Sequence, residues 1–64
     1  MQTDFRQRMT HEHNELVDRI GKLKTFLWSS TFNSLKAQDR ELLIEQLSHM
    51  KAYERVLAER ITRL

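Results

Sequence analysis

The 64 residues hold eleven lysines and arginines, nine acids and no cysteine, which leaves room for one domain and excludes disulfides, thiolate nucleophiles and cysteine metal sites. The net charge of +2 is spread as alternating signs and not as blocks, so charge by itself nominates neither nucleic acid nor a membrane surface as partner. Proline is missing and Gly21 is the single glycine, a composition that favours helix and supplies no glycine loop to cradle phosphate.

The first predicted element runs from about residue 3 to 28. Met9, Leu16, Ile20, Leu23 and Leu27 recur at helical spacing, and Thr3 or Asp4 is suited to cap the start. Acid-to-base pairs four apart, Asp4 with Arg8, Glu15 with Arg19 and Asp18 with Lys22, support the exposed side. Gly21 inside this pattern costs about 1 kcal/mol relative to alanine.

The connection, about 29–36, carries the serine, threonine and asparagine of SSTFNS, which break the periodicity. Phe32 and Leu35 within it are expected to plug the closed end in one short helical turn, with Trp28 beside them. The second long helix, about 37–64, is marked by Leu43, Leu47, Met50, Leu57, Ile61 and Leu64.

Laid antiparallel, the two helices match Leu27 with Leu43, Leu23 with Leu47, Ile20 with Met50, Leu16 with Glu54, His13 with Leu57 and Met9 with Ile61. Steps of three and four on both sides meet the heptad condition. The expected fold is therefore all-α: one domain over residues 1–64, an antiparallel two-helix hairpin with coiled-coil-like packing. One thin seam is little core for such a chain, and Leu42, His49 and Val56 repeat every seven residues outside it, with Tyr53 adjacent. A second apolar surface predicts assembly into an oligomeric helical bundle, a dimer or higher.

The stretch HEHNE, His11 to Glu15, has the composition of a metal or catalytic site but not the spacing. On a helix His11 and His13 point about 200° apart, and the zinc-protease pattern needs histidines four apart. No metal, cofactor or catalytic residue is expected. His13 instead falls in the seam one layer from Glu54, where a buried polar pair serves register or partner choice.

Lys51, Arg55, Arg60 and Arg63 form a basic strip that Glu54 and Glu59 interrupt. A two-helix chain of this kind matches none of the familiar groove-reading modules, and basic residues late in a helix suit its dipole.

Over most of its length the chain resembles a family of small helical proteins of tailed bacteriophages named after a crAss-like phage member. The resemblance rests on Glu15, Leu16, Arg19, Ile20, Lys22, Leu23 and Phe26, then Phe32 and Leu35, then Leu42, Leu43, Gln46, Leu47, Met50, Tyr53, Leu57, Arg60 and Ile61. Lys36 departs from the acidic or other capping residue expected after Leu35, which shifts the expected cap of the second helix to Ser34 or Asp39. The resemblance implies a phage or prophage origin and a non-enzymatic accessory protein in the host cytoplasm.

The leading functional expectation is a binding protein that occupies a host protein, as a counter-defence or host-takeover factor, through Trp28, Leu42, His49, Tyr53 and Val56. The second is an oligomeric sponge for a nucleotide signal. There Tyr53 or Trp28 stacks a base and Lys24, Arg55 or Arg60 holds phosphate at a protomer boundary. DNA binding through the basic end is the third.

Overall fold

Residues 4–64 are described by a computed structural model of the chain, which contains three helices: α1 Phe5–Phe26, α2 Ser30–Asn33 and α3 Ala37–Thr62. The protein is all-α. Asp4 starts α1 from an extended backbone, its carboxylate accepting the Arg6 amide at 3.0 Å and so satisfying one of the orphan donors of the first turn. Thr3, the alternative cap, lies outside the described residues.

Ser29 explains where α1 ends. Its hydroxyl donates to the Phe26 carbonyl at 2.6 Å and accepts the Phe32 amide at 3.1 Å, closing one helix and capping the next with a single side chain. The expected helical turn in the connection is thus α2. Phe32 is buried there and meets Phe26 edge-on, ring centroids 6.1 Å apart at 81°, while Leu35 is half-buried.

Trp28 does not join this plug. It is 90% exposed, in the turn just past the end of α1 that Ser29 closes. Phe26 fills the place beside Phe32 instead.

The cap of α3 also differs from expectation. Lys36 is the N-cap residue, extended at φ −63° and ψ 149°, and makes no side-chain capping bond. Ser34 is spent on the Thr31 carbonyl at 2.7 Å, and Asp39 lies within the first turn, where its charge favours the helix dipole. The Arg40 guanidinium reaches back to the carbonyls of Asn33, at 3.4 Å, and Leu35, tying the connection to α3.

At 1.5 Å per residue the 22-residue α1 and 26-residue α3 are about 33 and 39 Å long. The molecule measures 48 × 20 × 14 Å, so the two overlap along most of their length. Met9, Leu16 and Leu57 form the buried cluster, with Ile20, Met50 and Ile61 packed partly against it. Leu57 is the most enclosed, at 1% exposure. Leu23, Leu27, Leu43 and Leu47 continue the contact half-buried toward the connection, whereas Leu64, part of the same apolar periodicity, is exposed. Among the described residues, no helix is long and apolar enough to cross a membrane.

Candidate binding surface

Helical geometry splits the HEHNE stretch into two unrelated halves. His11 faces outward, 3.6 Å from Glu15. That pairing occupies the acid expected to serve Arg19, whereas Asp18 and Lys22 do meet, at 3.1 Å. No group of three or more histidines and acids gathers among the described residues.

His13 sits between Met9 and Leu16 on the buried face of α1, and Glu54 between Met50 and Leu57 on α3. Their side chains meet at 2.7 Å, ring nitrogen Nε2 to carboxylate Oε2, both half-buried. The pair satisfies two polar groups that would each be costly to leave alone in an apolar layer. Its position inside the helix contact gives it a packing role.

The outward surface is built mainly by α3. Leu42, Gln46, His49 and Tyr53 line a shallow groove with Glu45 and Met50 at its sides. Leu42 is 56% exposed, Tyr53 46% and Val56 43%, a run of apolar side chains left in water along one helix. His49 lies 3.4 Å from Glu45. Farther along, Val56 shares a second depression with Arg55, Glu59, Arg60 and Arg63, in which Glu59 approaches Arg55 at 3.7 Å and Arg63 at 4.0 Å.

The expected site residues therefore fall into two sets. Leu42, His49, Tyr53, Val56, Arg55 and Arg60 belong to α3, while Trp28 lines neither of its depressions and lies just past the end of α1, whose last turn holds Lys24. Leu42 and Arg60 are separated by about 27 Å of helix, so one chain does not bring both ends to a single small ligand. Gln46 was not expected in this surface. Its spacing, four after Leu42 and three before His49, was the available signal, masked by its polarity.

A family model described as Sequestin matches residues 3–63. The chain is also similar to a protein of Enterobacteria phage T4 described as an uncharacterized 7.5 kDa protein in the denB-rIIB intergenic region, with 35% identity over 57 residues covering 89% of each chain. No solved structure matches.

Proposed function

The chain belongs to the Sequestin family, and from that membership we propose that it is a small phage accessory protein that acts in the host cytoplasm by sequestration, holding a molecule without transforming it. The family's description supports sequestration as the mode of action, and of the expectations above we take the sponge for a nucleotide signal. The observation that carries the reading is Trp28: the largest apolar side chain of the protein is left 90% in water, takes no part in the core, and lies four residues after Lys24, just past the end of α1. An exposed indole with an ammonium four residues before it in the chain suits a base with its phosphate. Arg55 and Arg60 add phosphate-binding charge from a second copy, since within one chain they lie too far away.

The unit that does this is an antiparallel two-helix hairpin. The His13 to Glu54 contact supports that direction by a reach argument. In a parallel arrangement Phe26, thirteen residues past His13, and Ala37, seventeen residues before Glu54, would lie about 45 Å apart. The connection between them spans at most about 38 Å fully extended, and part of it is wound into α2.

The test is thermal unfolding of the full chain against a panel of cyclic and linear nucleotides. A signal held by this protein raises the Tm in proportion to the logarithm of its concentration, and Trp28→Ala removes the rise while helicity stays. No shift across the panel, together with capture of a host protein that Tyr53→Ala abolishes, would transfer the function to occupation of that protein. Retention on duplex DNA at physiological salt that Arg60→Ala and Arg63→Ala remove would transfer it to nucleic acid.

A further inference from the structure

We infer that the outer stripe of α3 is an interface between two copies of this chain, packed antiparallel about a two-fold axis that passes between His49 and Tyr53. The inference rests on the reading that the protein works as an assembly of hairpins, and it specifies the face, direction and register.

Spacing is the first argument. Leu42, Gln46, His49, Tyr53, Val56 and Arg60 follow one another at four, three, four, three and four residues. Read backwards the series is the same. A helix carrying it superposes on an inverted copy of itself, with Leu42 facing Arg60, Gln46 facing Val56 and His49 facing Tyr53. Each match is a core position of an antiparallel helix pair, and each occurs twice, as a two-fold interface requires. The aliphatic stem of Arg60 covers Leu42 while its head stays wet.

Charge is the second argument and decides the direction. The side of α3 along this stripe is acidic toward its start, with Glu41 and Glu45, and basic toward its end, with Arg60 and Arg63. A parallel pair would set acid on acid and base on base. The antiparallel pair sets each acidic end on a basic end. Glu59 is the one mismatch, and it is already flanked by Arg55 and Arg63.

Burial is the third. The chain's own core consists of Met9, Leu16 and Leu57, with Phe32 at the closed end, which is little for 64 residues. The stripe offers Leu42, Tyr53 and Val56 for further burial on the helix that already supplies Leu57.

The experiment uses sedimentation of the full chain, with helicity checked by circular dichroism. The wild type should show twice the 7.8 kDa of one chain. A variant with Glu41→Arg and Glu45→Arg, and another with Arg60→Glu and Arg63→Glu, should each fall to one chain, and an equimolar mixture should regain the doubled mass. Because the chain lacks cysteine, Gln46→Cys and Val56→Cys each introduce one thiol. On oxidation the two mixed variants should form a disulfide with each other and neither should form one alone.

Tyr53→Asp should dissociate the pair, whereas Ile44→Asp, equally exposed but off the stripe, should not. A wild type that sediments as one chain, a mixture that stays dissociated, or Gln46→Cys linking to itself would overturn the inference. If a variant loses helicity, the conservative cysteine pair still decides. An assembly of this form that takes up no nucleotide sinks the sequestration reading and leaves the interface standing. Nucleotide uptake by a chain that sediments alone does the reverse.

Discussion

Gly21 is a residue whose reason for being glycine is not found inside the chain. It lies in the middle of α1, and a Cβ built on it meets nothing within 4 Å. Gly21→Ala should therefore stabilise the fold by about 0.5–1 kcal/mol, read as a rise in the midpoint of chemical unfolding. A fall would mean that the backbone there is approached closely by something in the working assembly.

His13 and Glu54 are the other informative residues. Removing one, as in Glu54→Ala, should cost about 1–3 kcal/mol because the imidazole is left without its acceptor. Replacing both with leucine should recover most of that loss. A double variant as unstable as the single one would show that the contact at 2.7 Å is not what is lost. The placement of both residues in the helix contact was legible from heptad spacing alone. The outward turn of Trp28 was not, because it depends on where Ser29 stops α1, a matter of one hydroxyl bonded in two directions.

At the scale of elements, the two long helices were readable to within two residues at most ends, since apolar periodicity is strong in both. α3 starts at Ala37 on a cap that differs from the expected one. The sequence offers Ser34 and Asp39 as short polar side chains near Leu35. The chain instead turns in at Lys36, leaves that cap unmade, and holds the junction with Arg40, whose long-range grip on the Asn33 and Leu35 carbonyls has no local sequence signature. Lys36→Asp supplies the missing acceptor at an extended position and should stabilise by about 1 kcal/mol. Thermal melts of Lys36→Asp against the wild type check this, and no gain would mean that the lysine serves a contact outside the chain.

For the whole molecule, the proposed interface ties stability to assembly. Among the described residues Leu57 is the most enclosed side chain, and it belongs to the buried cluster that joins the long helices. Leu57→Ala should cost about 2–5 kcal/mol, a loss that a core of this size is poorly placed to absorb. With the proposed second copy bound to the folded form, the wild-type Tm should climb with protein concentration. A Tm independent of concentration would mean that the folded chain gains nothing from its neighbours. That outward stripe was visible in the sequence only as a recurrence of Leu42, His49 and Val56. Its reversible spacing depends on Gln46 and Tyr53, which line the same groove as Leu42 and His49.

Trp28 is the only tryptophan in the chain, and its place in open solvent makes the protein its own optical reporter. The free molecule should emit at the red wavelengths of hydrated indole. Whatever settles over that ring should shift the emission to the blue or quench it, so occupancy can be followed without any attached dye.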